Sequence, residues 1–71
     1  MITIELDETP SGNKITVISG INSEIYDLNR VRKALKKITD CDKSKLTEDN
    51  NIILSGSHIK KCNEFVTRIG F

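Results

Sequence analysis

Nowhere in the chain is there a run of about 18 apolar residues, so no segment reads as a membrane span. Nor does it open with a basic stretch, an apolar run and a small-residue cleavage site, so no secretory signal is expected. Cys41 and Cys62 lie far apart without a CxxC pair, and His58 is the only histidine, which argues against a structural zinc site. The two cysteines read as reduced cytosolic thiols. A Cys41–Cys62 bridge remains open at this level.

The same scarcity extends to catalytic groups. Ser57 and His58 are sequence neighbours, and adjacency alone makes no nucleophile–base pair. Asp40-Cys41-Asp42 lacks the glycine and ligand alternation of a calcium loop. Pro10-Ser11-Gly12-Asn13 has one glycine, too few for a phosphate cradle. Cys41 reads as a small hydrophobe at the edge of the core, and His58 as a solvated or capping residue in the first turn of a helix. No catalytic constellation emerges, so the chain is expected to be no enzyme and to hold no metal or cofactor.

The 71 residues read as one domain, 1–71, with a small core that must use nearly every apolar face. The formal net charge is +1, yet the charge is unevenly placed. Residues 1–13 carry Glu5, Asp7 and Glu8 and no basic side chain, whereas all eleven Lys and Arg follow from Lys14 onward. The stretch Asp27-Leu-Asn-Arg-Val-Arg-Lys-Ala-Leu-Lys-Lys37 holds five basic residues and no acid after Asp27. A one-signed stripe of this kind suits an anionic partner, although a charge run can also be a solvated face.

Local patterning places the elements. Ile2, Ile4 and Leu6 alternate with Thr3, Glu5 and Asp7, the period of a half-buried strand. The turn formers Thr9 to Asn13 lead to a second strand, Lys14 to Ser19, and the pair reads as a hairpin with a five-residue tip. Asp27 is an N-cap for a helix from Leu28 to about Ile38, with Leu28, Val31, Ala34, Leu35 and Ile38 on one face. Asn29, Lys33 and Lys36 sit opposite that face, and Arg30, Arg32 and Lys37 flank it. A weak strand is expected around Lys45–Thr47, then a turn over Glu48 to Asn51 and a buried strand from Asn51 to Ser55. Ser57 is expected to cap a second helix that buries Ile59, Cys62, Phe65, Val66 and Ile69, with Gly70 as its terminating residue. The class is α+β, a two-layer α/β sandwich of order ββαββα, with both helices on one face of a mainly antiparallel sheet.

Two segments then resemble a known family. K-I-T-V-I-S-G-I followed by Y-D-L-N-R-V-R-K-A-L-K-K-I-T-D-C, and later N-I-I-L-S-G-S-H-I-K-K-C-N-E-F-V-T-R-I-G-F, are similar to translation initiation factor 1 of eukaryotes and archaea, the suppressor-of-initiator-codon family. The likeness runs from Lys14 to Phe71, with Ile2–Leu6 as its first strand. Ser57 stands where that family usually has Asp, and the first hairpin loop carries Lys14 beside Asp7 and Glu8 where two or more basic residues are usual. The chain thus looks like a minimal or divergent member, without the N-terminal tail or the last strand common in the family.

The resemblance implies a cytoplasmic factor that binds the small ribosomal subunit near the P site and promotes scanning and accurate start-codon selection. It implies contact with ribosomal RNA through Gly12, Asn13 and Lys14 in the loop and Arg30, Arg32, Lys33, Lys36 and Lys37 on the helix. The implied partners are ribosomal RNA and other initiation factors, with the free chain a monomer and no membrane involved. Two other readings stand beside it. One is a factor for ribosome recycling or reinitiation, like the density-regulated protein; the other is a protein-interaction module that keeps the fold without the fidelity role.

Overall fold

The computed structural model describes residues 2–69. In chain order its elements are β1 (Thr3–Glu8), β2 (Lys14–Ser19), α1 (Leu28–Thr39), β3 (Ser44–Leu46), β4 (Ile52–Ser55) and α2 (Ile59–Ile69). The strands form one antiparallel sheet in the order β1-β2-β4-β3. Burial alternates along the two central strands: Thr16, Ile18, Ile52 and Leu54 are fully buried, whereas Ile15, Val17, Ile53 and Ser55 are only half-buried. The helices therefore share one face, α1 over β3 and β4 and α2 over β1, as the ββαββα order predicts. Ile18, Leu28, Leu35, Ile52, Leu54 and Cys62 form the centre of the core between the layers.

The two hairpins turn by the same device. In the first, the Thr9 amide donates to the Asn13 carbonyl at 2.8 Å, Gly12 donates to the Thr9 carbonyl at 2.9 Å, and the Asn13 amide donates to Thr9 Oγ1 at 3.1 Å. In the second, Thr47, Asn50 and Asn51 repeat those three bonds at 2.9, 3.0 and 3.1 Å. The fourth residue of each loop is left-handed, Gly12 at φ 89° and Asn50 at φ 62°. Such a three-residue turn with a left-handed bulge suits the twist of paired strands, and glycine and asparagine are the residues that tolerate it best. Thr-x-x-(Gly/Asn)-Asn is thus a repeated loop pattern that composition and periodicity do not reveal.

Helix α1 begins where expected, with the Asp27 carboxylate accepting the Asn29 amide at 3.0 Å and the Arg30 amide at 3.4 Å. Its inner side differs from the sequence reading. Ile38 is 45% exposed, and Thr39 is buried instead, its hydroxyl donating to the Leu35 carbonyl at 2.7 Å. Leu28, Leu35 and Thr39 lie within roughly 20° of one line along the helix, whereas Ile38 lies roughly 80° from it. The threonine can occupy this buried position because the preceding turn satisfies its hydroxyl. The helix then stops at Asp40, whose left-handed backbone (φ 53°, ψ 36°) supplies the terminating turn without a glycine.

Other boundaries shift by one or two residues. Strand β3 is Ser44–Leu46 rather than Lys45–Thr47, because Thr47 is spent on the turn. Helix α2 starts at Ile59, and the His58 carbonyl accepts its first helical amide, from Cys62 at 3.0 Å; Ser57 is not the cap. The reason is a polar node on the inner face of the sheet. The fully buried Thr16 hydroxyl donates to the Gly56 carbonyl at 2.8 Å and accepts the His58 amide at 2.9 Å. The His58 ring nitrogen Nε2 reaches the Ser55 carbonyl at 2.7 Å, and the Gly56 amide donates to the Lys14 carbonyl at 2.8 Å. Along α2, Cys62 is buried and Ile59, Phe65 and Val66 are half-buried; Ile69, in the last turn, is 51% exposed, as is Leu6 on β1 at 47%. The expected stop at Gly70 lies outside the described residues.

Both cysteines are free thiols, and both are buried. The Cys41 thiol donates to the Lys43 carbonyl at 3.4 Å. Burial, and secondarily the neighbouring Cys41, push the Cys62 thiol from 9.0 up to about 11. The thiolate is the reactive form, so Cys62 should resist a bulky thiol reagent in the native protein even at pH 9 and react at once in urea. Rapid labelling of both thiols without denaturant would contradict this packing.

Two of the three left-handed glycines, Gly12 and Gly56, separate conformational strain from crowding. A Cβ at Gly12 would meet only Glu8 Oε1 at 3.9 Å, whereas a Cβ at Gly56 would stand 2.9 Å from His58 Nε2. Gly12→Ala should therefore cost only the left-handed penalty, about 1–2 kcal/mol. Gly56→Ala should cost clearly more, about 3 kcal/mol or above, because it also displaces the His58 ring. Urea unfolding of both variants measures the difference, and equal losses would show that His58 carries none of the strain.

Candidate nucleic-acid interface

The outer side of α1 is built by helical spacing. Measured from the Leu28–Leu35–Thr39 line, Lys33, Lys37 and Arg30 lie roughly 140°, 180° and 160° away, facing solvent. Lys36 and Asn29 lie roughly 80–100° from it, on one flank. All five are exposed. Relative to the sequence reading the helix is rolled by roughly 50°, since Thr39 rather than Ile38 points inward. That roll moves Arg30 and Lys37 from the flanks to the outer face.

The same roll turns Arg32 toward the sheet. Its Nη1 donates to Ser44 Oγ at 2.7 Å, and the residue is half-buried. Arg32 thus joins α1 to the edge strand β3, while Arg30, Lys33, Lys36 and Lys37 stay exposed. No acid lies among residues 28–39. Like charges at Arg30–Lys33 and Lys33–Lys37 each cost a few tenths of a kcal/mol. Lys36 and Lys37 recover part of that at the negative end of the helix dipole.

The loop residues Gly12, Asn13 and Lys14 stand at a different place. β3 begins beside the end of β4, so the residues that follow α1 come back to the end of the sheet where the first hairpin loop lies. An open groove of about 850 Å³ runs there, with Thr9, Asn13 and Lys14 on one wall and Asp40 to Lys45 on the other. Ile15, Ile53 and Ser55 line its floor. Lys14 Nζ sits 3.6 Å from Glu8 Oε2, the one ion pair among the described residues. Both partners are more than half exposed, so the pair adds little to stability. Even so, it sets an acid against the only cation of this loop.

The sequence reading did not single out Lys43 and Lys45, both exposed on the other wall of the groove. The Lys-Ser-Lys alternation around Ser44 was the available signal, because alternate residues of a strand share a face. It also missed the Thr16–Gly56–His58 node, which gives His58 a structural role through its amide and ring. No cluster of three or more His, Cys, Asp or Glu side chains among the described residues could hold a metal ion. No helix among them is long and apolar enough to cross a membrane.

Comparison with known proteins decides the family. The model described as "Translation initiation factor SUI1" matches residues 1–71. The chain belongs to the SUI1 translation initiation factor family. It is 34% identical over 70 residues to the protein translation factor SUI1 homolog of Methanocaldococcus jannaschii, covering 99% of this chain and 66% of that protein. The corresponding homolog of Methanococcus vannielii is 32% identical over 60 residues, covering 84% of this chain and 57% of its own. The chain therefore spans less than two thirds of the length of these relatives. As a SUI1 family member it carries a translation initiation factor fold with a cationic outer helix.

The two kinds of α1 cation should separate by stability. Lys33→Ala should leave the unfolding free energy within about 0.5 kcal/mol of wild type. Arg32→Ala should lower it by about 1–2 kcal/mol, because Ser44 loses a charge-assisted hydrogen bond and β3 loses its tie to α1. Matching urea midpoints for the two variants would show that the Arg32–Ser44 bond contributes nothing in solution.

Proposed function

We propose that this SUI1 family member binds the small ribosomal subunit near the P site, through ribosomal RNA, and promotes scanning and accurate start-codon selection. The observation that carries the reading is the acid-free outer side of α1, where Arg30, Lys33, Lys36 and Lys37 are all exposed. Phosphate contacts by such a face supply affinity without reading sequence, which suits a factor that recognises the shape of a ribosomal RNA surface. It acts in the cytoplasm by binding, as one domain over residues 1–71 and alongside other initiation factors. Arg32 contributes by holding α1 on β3, and Gly12, Asn13 and Lys14 contribute from the hairpin loop.

The loop favours a second reading of lesser scope. Lys14 is paired with Glu8, and Asp7 is adjacent, so the loop presents little free positive charge. A binder that keeps the fold and the helix contact but lacks the fidelity role fits that loop. A role in recycling or reinitiation would use the same helix.

Lys33→Glu with Lys36→Glu tests the helix. Both side chains are exposed, so the double variant should fold as wild type and bind small subunits at least tenfold more weakly in sedimentation. Wild-type binding should also weaken with salt, by about 0.7–0.9 units of log K per log unit of salt for each phosphate contact. Undiminished binding by the folded double variant would remove α1 from the interface.

Lys14→Glu tests the loop. With a fidelity role, it should loosen the choice between AUG and near-cognate reporters more than it weakens subunit binding. In a system dependent on this chain, an unchanged reporter ratio at equal protein level would favour the binder without discrimination.

A further inference from the structure

The sheet face opposite the helices bears a regular grid of side chains. Glu5 pairs with Val17, Val17 with Ile53, and Ile53 with Lys45, giving one row across the four strands. The next row is Asp7, Ile15 and Ser55, and it continues to Lys43, which exchanges hydrogen bonds with Ser55. Acids thus occupy the β1 column, Ile15, Val17, Ile53 and Ser55 the centre, and lysines the β3 column. Glu5, Asp7, Lys43 and Lys45 are exposed; Ile15, Val17 and Ile53 are half-buried, and no helix of the described residues covers them.

We propose that this face is a homotypic docking surface, whose occupant is the same face of a second copy of the chain. The argument is one of symmetry and charge. Two sheets packed face to face keep their strands within about 30° of each other. A two-fold axis lying between the sheets and running along the strands exchanges the β1 and β3 columns. Glu5 of one copy then faces Lys45 of the other, Asp7 faces Lys43, and Val17 faces Ile53, twice over. A two-fold across the strands would instead set acid over acid and lysine over lysine, so the charge pattern selects the first axis. Both α1 helices remain on the outside of such a pair, and their cations stay free.

The occupant is a protein face and not an RNA strand. Sheet faces that take single-stranded RNA stack its bases on aromatic side chains, and this grid has none. Its acid column would also repel a phosphate backbone. Size sets the strength of the pairing. Strands about 4.8 Å apart and rows about 6.6 Å apart make a face of roughly 300 Å², well under the about 800 Å² per partner of a standard interface. The pair is therefore weak and concentration-dependent, in the manner of a transient contact.

Sedimentation velocity of the whole chain between about 20 µM and 1 mM, in low and high salt, tests this. The wild type should move from monomer toward dimer as concentration rises, and salt should oppose the shift. Glu5→Lys with Asp7→Lys, and separately Lys43→Glu with Lys45→Glu, should each weaken self-association at least tenfold while keeping the wild-type circular dichroism. Their equimolar mixture should recover a dimer. Lys60→Glu with Lys61→Glu, on the exposed side of α2, changes net charge as much as the second variant and should leave self-association as in wild type. A wild type that stays monomeric at 1 mM overturns the proposal. So does a mixture that fails to recover, or sheet-face variants that lose small-subunit binding instead of self-association, which would make the ribosome the occupant.

Discussion

The hydroxyl of Thr16 holds this fold together in a way its size does not suggest. It is fully buried on the inner face of β2, and it satisfies the Gly56 carbonyl and the His58 amide at once. Those two groups belong to the turn between β4 and α2, so one side chain fixes where the closing helix begins relative to the sheet. Gly56 must be left-handed to make that turn, and the His58 ring closes over it. In a protein interior an unpaired polar group costs about 1–3 kcal/mol, so the node holds only when complete. Among the described residues no buried side-chain nitrogen or oxygen lacks a partner.

With α2 fixed over β1 and α1 over β3 and β4, all helical packing is spent on one face of the sheet. The consequences for charge follow. The outer side of α1 faces away from the sheet and carries exposed cations with no compensating acid, an arrangement that costs the isolated helix some stability. The opposite face of the sheet keeps acids on one edge strand and lysines on the other. Charged edges also discourage indiscriminate strand pairing, which a small sheet whose two edges are unpaired among the described residues would otherwise risk. A nearly neutral chain thereby presents two surfaces of different character, one cationic and one mixed.

Much of this was legible in the residues. The alternation in Ile2–Asp7, the β-branched run of Lys14–Ser19 and the Asp27 cap placed three elements almost to the residue, because each signal is local. The acid-free stretch from Leu28 to Lys37 marked the candidate interface directly. The family followed from two ordered segments at a fixed separation, and the match over residues 1–71 agrees. What failed were judgements of orientation: Ile38 was expected inside and Thr39 ignored, and Ser57 was expected at the N-cap position that His58 occupies. Hydropathy prefers isoleucine to threonine at any buried position, but a threonine bonded to the preceding turn loses that disadvantage.

The sequence by itself determined the order of the elements, the amphipathic period of both helices, the hairpin loop and the gathering of basic residues on one helix. These depend on interactions within a few residues, and hydrophobic spacing and turn chemistry report them faithfully. Only the tertiary structure decided which four cations of α1 stand exposed and that Arg32 is tied to Ser44. It alone paired Lys14 with Glu8 and aligned Glu5, Val17, Ile53 and Lys45 in one row. Each of those facts joins elements distant in sequence, or depends on how far α1 is rolled against the sheet. A roll of roughly 50° changes no hydrophobic period, yet it moves a guanidinium from solvent to a strand edge, because side chains on a helix are set only about 100° apart.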